Sequence, residues 1–143
     1  MRLIKLAQFF APALMLAAQA PVAFAADIVL TVDGIASNEG KVMVALFDKA
    51  AEFPNGKYKS AQMLPSAKGA LKFVFKDLPA GRYAISAFHD VNNNNRLDVN
   101  QMGIPTEPLG ASRDARGQMG PPKFDDAAVT VGKDALNLTI HLK

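Results

Sequence analysis

The clearest chemical pattern in the chain is Asp90-Val91-Asn92-Asn93-Asn94-Asn95-Arg96-Leu97-Asp98. Oxygen-bearing side chains fall at relative positions 1, 3, 5 and 9, and an apolar residue stands at position 8. Calcium takes six to eight hard oxygen ligands. A loop curling around the ion turns alternate side chains inward and adds a backbone carbonyl from position 7. The expected ligands are therefore Asp90, Asn92, Asn94, the Arg96 carbonyl and Asp98. The run departs from an EF-hand loop at two places. Position 6 is Asn95 rather than glycine, although asparagine tolerates the left-handed conformation the turn requires. Position 12 is Gln101 rather than a bidentate glutamate, which leaves two certain carboxylates unless Glu107 or Asp114 folds back to supply a third. That donor set belongs at the weak, extracellular end of calcium affinities, roughly 10⁻⁴ to 10⁻³ M. Magnesium suits it less well, because magnesium keeps its waters and demands an octahedron. The same residues also read as an Asn/Asp-rich turn whose side chains bond their own backbone and hold no ion.

Other residues offer weaker chemistry. His89 directly precedes the loop, and as a general base it would need a nucleophile and an orienting carboxylate. Glu107, Ser112 and Asp114 are the available partners for such a hydrolase, but Gly110-Ala111-Ser112-Arg113-Asp114 is not the Gly-x-Ser-x-Gly elbow. The simpler expectation is a strand-end histidine packed at the rim of the fold. His141 alternates with an apolar face and should point to solvent. Two histidines so placed do not make a structural zinc site. Arg113, Arg116 and Lys123 suit an anion or sugar-acid contact, or merely a solvated loop. Tyr58 and Phe53 are the candidates for an exposed aromatic platform of the kind sugar-binding sandwiches use, and both equally suit edge-strand or turn packing.

These residues must be held by a domain shorter than the 143-residue chain. Residues 1–25 read as a secretory signal peptide. Arg2 and Lys5 come first, then an apolar run from Leu6 to Ala18 broken only by Gln8 and Pro12, then the small-x-small pattern Ala23-Phe24-Ala25. The run is too short and too interrupted for a stable membrane span. Cleavage after Ala25 leaves 118 residues with 14 Lys+Arg against 13 Asp+Glu, so the net charge falls from +3 to +1. That balance excludes a nucleic-acid binder, whose electrostatic footprint needs clustered excess charge. Absence of cysteine excludes disulfides, thiolate metal sites and cysteine nucleophiles. The expected product is a single domain, periplasmic or secreted, with no membrane span in its mature chain.

Period-two alternation fills that domain. Ile28, Leu30 and Val32 alternate with Val29, Thr31 and Asp33. Val42, Val44 and Leu46 follow the Asn38-Glu39-Gly40 turn. A weak segment from Tyr58 to Leu64 suits an edge strand, and Leu71, Phe73 and Phe75 mark a clearer one. Asp77-Leu78-Pro79-Ala80-Gly81 is a tight turn. Strands are expected at Arg82–His89, Ala127–Val131 and Leu136–Leu142. About seven strands without helical periodicity predict an all-β fold, a single antiparallel sandwich of immunoglobulin-like or transthyretin-like type over residues 26–143. The connection 90–126 is expected to be one long ordered loop, because Met102, Ile104, Leu109, Met119 and Phe124 are spaced through it as anchors.

The turn from Phe75 to Tyr83 resembles that of transthyretin-like and carboxypeptidase-regulatory-like sandwich domains. A wider set of motifs resembles the exported bacterial family called domain of unknown function 2141. Those motifs are Gly40-Lys41-Val42, Phe53-Pro54, Leu78-Pro79-Ala80-Gly81-Arg82-Tyr83-Ala84, His89-Asp90-Val91-Asn92-Asn93-Asn94, Leu97-Asp98, Gly103-Ile104-Pro105-Thr106-Glu107, Gly110-Ala111-Ser112 and Gly120-Pro121-Pro122-Lys123-Phe124-Asp125-Asp126-Ala127. The resemblance covers essentially all of residues 26–143. It implies a β-sandwich and export, and brings no activity with it. The leading expectation is a non-enzymatic module in which a calcium loop fixes the 100–124 segment for a protein or glycan partner. A hydrolase using His89 and a carbohydrate- or peptide-binding module are the alternatives.

Overall fold

The computed structural model describes residues 23–143. The signal-peptide reading of 1–25 lies, apart from its last three residues, outside the described residues. Nine elements follow in order: β1 (Ala25–Ile35), β2 (Lys41–Phe47), β3 (Ser60–Pro65), β4 (Gly69–Pro79), β5 (Gly81–Asp90), β6 (Leu109–Ala111), α1 (Phe124–Ala127), β7 (Val129–Val131) and β8 (Leu136–His141). They form two sheets, β4-β1-β8 and β3-β2-β5-β6, with β7 beside the first residues of β5. The expected all-β sandwich is the architecture observed, with eight strands. A chain starting at Ala26 keeps residues of every strand and loses the Ala25–Pro79 pair and the hydrogen bond from Ala80 N–H to the Phe24 carbonyl.

Alternation builds the core. Ile28, Leu30 and Val32 of β1, Val42, Val44 and Leu46 of β2, Phe73 and Phe75 of β4, and Tyr83, Ile85 and Ala87 of β5 all point between the sheets and are buried. Every neighbouring pair is antiparallel except one. β1 and β8 run parallel, from Ile28 opposite Leu136 to Asp33 opposite His141. Parallel neighbours require a long crossover, and here the whole intervening domain serves as one.

The long connection after β5 is more structured than a loop. It contains β6, a 3-10 turn at Ser112–Asp114, and the helical turn α1. Ala127, expected at the start of a strand, ends α1 instead, because Phe124 and Ala127 pack with Phe47 and Ala84 on the outer face of the β5 sheet. Phe53 completes that second cluster, with its ring edge-on to Phe47 at 5.4 Å and to Phe124 at 6.1 Å. One side of the sandwich closes where Leu109 and Lys143 exchange a pair of backbone hydrogen bonds of 3.2 Å. Gly110 makes this approach possible, since a Cβ there would stand 2.6 Å from Ile140 and 3.0 Å from the His141 carbonyl.

β5 is therefore flanked on one edge by two short strands, with a gap between β7 at Tyr83 and β6 at Ser86. The fully buried Ser112 fills that gap. Its Oγ accepts the Ile85 N–H at 3.0 Å and donates to the Ala127 carbonyl at 2.6 Å. Removing the hydroxyl leaves two buried backbone groups unpaired, each costing roughly 1–3 kcal/mol. Ser112→Ala is accordingly expected to lower unfolding stability by about 2–4 kcal/mol in urea titration. A loss below about 0.5 kcal/mol, the scatter of neutral surface changes, would contradict this role.

Candidate functional site

β5 delivers Asp90 to the rim of the sandwich, directly opposite Lys41 of β2. The Asp90 side chain is fully buried. Burying a carboxylate is costly unless it is paired and hydrogen-bonded, and Asp90 meets both conditions. Its two oxygens accept the N–H groups of Asn94 (3.0 Å) and Asn95 (2.8 Å), and the Lys41 ammonium lies 3.5 Å away. Lys41 also donates to the Asn95 side chain. To present these N–H groups the chain turns through left-handed conformations at Asn93 (φ 59°) and Asn95 (φ 65°), which asparagine tolerates better than most residues.

A second carboxylate organises the far side of the loop. Asp98 accepts the side-chain amides of Asn92 and Asn94, the latter at 2.7 Å. The amide of Asn94 holds its carboxyl below the usual carboxylate range, with help from the Asn92 amide. Slight burial opposes this, and Arg96 adds a small attraction. The carbonyl oxygens of the same two amides accept backbone N–H groups, Asn92 from Asn94 at 3.2 Å and Asn94 from Arg96 at 3.1 Å. Asn92 and Asn94 are thus brought onto Asp98, while Asp90 bonds the backbone of the same loop. The Arg96 side chain points outward, with its Nε 3.8 Å from Asp98. Among the described residues no group of three or more His, Asp or Glu stands ready to hold a metal ion. The amides present N–H, not oxygen, to Asp98.

Glu107 supplies the third carboxylate from outside the run. It is buried, and its oxygens accept the N–H of Val91 at 2.9 Å and of Asp98 at 3.0 Å. It therefore staples the two ends of the loop together. Its charge is legible in the sequence as a possible third carboxylate, but its use of both oxygens on the backbone has no local sequence signal. Gly40, read from the sequence only as part of a turn and a motif, also shapes the site. It takes φ +72°, and a Cβ there would collide with the Asp90 carbonyl and the Val91 backbone. The β1–β2 turn and the loop can touch only because Gly40 is bare.

The residues of a possible hydrolase are each engaged with other partners. His89 is 1% exposed, and its Nε2–H donates to the Glu39 carbonyl at 2.7 Å while Nδ1 is buried without a partner. Ser112 is occupied within the fold, and Asp114 pairs instead with His141 at 2.8 Å. Burial would raise the Asp114 carboxyl, but the His141 backbone N–H, its imidazole and Lys143 together bring it below its usual range. No hydrogen bond joins any two of His89, Glu107, Ser112 and Asp114. Arg113, held at φ 59°, reaches back to the carbonyls of Asp125 and Ala128. Arg116 and Lys123 line an open cavity of about 500 Å³ with Asp126. Of the two aromatic candidates, Phe53 is used in packing and Tyr58 is 55% exposed.

The lowered Asp98 carboxyl has a consequence for acid stability. A carboxylate whose folded value lies below its unfolded one contributes stability above the unfolded value, and that contribution disappears as pH falls through the folded one. The structural stability of the loop should therefore hold down to about pH 4 and decline below it. Amide exchange of Asn92 to Asp98 followed by NMR across about pH 2–5 checks this. Asp98→Asn is expected to remove the acid-dependent step, and an unchanged step would contradict the assignment.

Residues 30–139 match a bacterial family described as "Uncharacterized protein conserved in bacteria (DUF2141)". Nothing among curated proteins or solved structures matches the chain. The family match runs from the middle of β1 into β8 and includes the Asp90–Asp98 loop, Glu107 and the Gly40 turn. By that match over most of its length, the chain belongs to this family of uncharacterised bacterial proteins.

Proposed function

We propose that this is an exported, non-enzymatic β-sandwich module that binds calcium weakly in its 90–98 loop and presents the segment beyond it to a partner. The observation supporting this reading is that three carboxylates each accept hydrogen bonds from one short loop: Asp90 at its start, Asp98 at its end through the Asn92 and Asn94 amides, and Glu107 from beyond it on the N–H groups of Val91 and Asp98. Lys41 and the exposed Arg96 are the cations beside them. Asn95 at the sixth position already adopts the left-handed turn for which calcium loops use glycine. Each carboxylate oxygen has lone pairs left after accepting one N–H. Rotating the Asn92 and Asn94 amides by half a turn would exchange their N–H groups for carbonyl oxygens facing Asp98. Asp90, Asn92, Asn94, the Arg96 carbonyl and Asp98 would then hold the ion, with Glu107 as the third charge. The ion's role is structural, fixing the loop beneath residues 99–106.

Burial of His89 and Ser112, and the pairing of Asp114 with His141, favour this reading over a hydrolase. Packing of Phe53 leaves the sugar-platform reading with Tyr58 alone. With calcium at about 1 mM and a Kd of about 10⁻⁴ M, linkage adds about 1.4 kcal/mol. For a domain of this size that is roughly 5 °C in Tm. Thermal unfolding in chelator and then in calcium, with magnesium as control, is expected to show a calcium-specific rise that Asp98→Ala abolishes. Equal Tm in chelator and calcium, or an equal response to magnesium, would contradict the ion site.

A further inference from the structure

Beyond the loop, the chain makes a small projecting hairpin. Val99 and Pro105 pair as an antiparallel bridge, and the turn between them is closed by Asn100 N–H to the Ile104 carbonyl (2.8 Å) and Gly103 N–H to the Asn100 carbonyl (2.9 Å). Every residue from Val99 to Thr106 is exposed, and none carries a charge. Three of them are large and apolar: Val99 is 53% exposed, Met102 82% and Ile104 52%. From this structure we propose that residues 99–106 are an apolar finger that seats in the interfacial layer of a lipid bilayer.

Three features of the finger favour lipid over a protein groove. Alternation places Val99 and Pro105 on one face of the hairpin, Ile104 on the other and Met102 at the tip, so its apolar surface has no single docking face. A fluid interface accepts such an all-round shape, whereas a protein would have to enclose it. Most backbone donors of the tip also have partners within the turn, while the N–H groups of Val99 and Gln101 are left to the hydrated headgroups. Besides the two turn bonds, Asn100 Oδ1 accepts the N–H of both Met102 (2.9 Å) and Ile104 (3.0 Å), Thr106 N–H reaches the Asp98 carbonyl (2.9 Å), and Pro105 has no N–H. Backbone donors that enter a bilayer must be satisfied from within the protein. The third feature is electrostatic. The acids at the root, Asp98 and Glu107, are turned inward onto N–H groups, and the charged side chain left outermost is Arg96, 79% exposed. An anionic headgroup would meet a cation there, not repulsion.

The scale also fits. Three residues of extended chain reach roughly 10 Å, and interfacial elements seat about 5–10 Å into the headgroup/acyl boundary. This is a surface attachment, since no helix among the described residues is long and apolar enough to cross a membrane. It does not require calcium, because the carboxylate staple already holds the finger.

The chain contains no tryptophan, so Met102→Trp places a single reporter at the tip. The test uses the domain from Ala26, which retains residues of every strand, with vesicles of phosphatidylethanolamine and phosphatidylglycerol, and with phosphatidylcholine vesicles for comparison. The expected result is a blue shift of the Trp emission on adding vesicles. Co-sedimentation of the unmodified domain should weaken by about tenfold or more in Met102→Ser/Ile104→Ser, whose exposed positions leave the core untouched. Running both arms in chelator and in calcium separates this proposal from the ion site. No blue shift with either vesicle would overturn it, as would co-sedimentation unchanged by the double substitution.

Discussion

A fully buried carboxylate at the end of a core strand is the constraint on which the rim of this protein depends. Asp90 follows His89 on β5, and its exposure is as low as that of the isoleucines in the core. Such a charge persists only where the chain around it is arranged to supply donors and a counterion. Two consecutive N–H groups, from Asn94 and Asn95, and the Lys41 ammonium provide them. Supplying them forces the sharp turn at Asn93–Asn95. That turn places the Asn92 and Asn94 amides on Asp98, and Asp98 in turn shares Glu107 with Val91. Each carboxylate thus fixes the position of the next, and the finger at 99–106 inherits its direction from the chain of contacts.

The core below explains why the rim can be held so closely. β5 lies between β2 on one edge and β6 and β7 on the other, so its last residues cannot shift without disturbing the central sheet. His89 ties the strand end to the Glu39 carbonyl, and bare Gly40 lets the β1–β2 turn rest on the Asp90 and Val91 backbone. The two turns are packed into one corner. The corner is held in this way by the chain's own groups. The Asp114–His141 pair lies on the opposite flank of β6 and takes no part in this corner.

Much of the architecture was legible because it obeys a period of two. Ile28, Leu30 and Val32, and likewise Val42, Val44 and Leu46, are buried as their alternation requires. The run from Asp90 to Asp98 is also legible as a turn, in which Asn92 and Asn94 meet Asp98 while Asp90 bonds the backbone. Contacts made at long range were not legible. Nothing near Leu136 reveals that β8 pairs in parallel with β1. Nothing near Phe124 distinguishes a strand from a helical turn until the outer face of β5 is there to receive it. Residue spacing likewise cannot tell whether an asparagine amide offers its oxygen or its N–H. That choice follows from which backbone groups the turn leaves unpaired, and here both Asn92 and Asn94 give their oxygens to the backbone. Glu107 counted as a charge in the sequence, yet it acts as two hydrogen-bond acceptors.

The most direct test of the carboxylate-built rim is hydrogen exchange at single amides in the metal-free domain. Val91, Asn94, Asn95 and Asp98 should be protected well beyond exposed loop amides such as that of Gln101, because each donates to a carboxylate. Glu107→Ala should release Val91 and Asp98 while Asn94 and Asn95, which bond Asp90, remain the better protected pair. Rapid exchange at all four amides in the unaltered protein, or no change at Val91 and Asp98 on removing Glu107, would contradict the network as described.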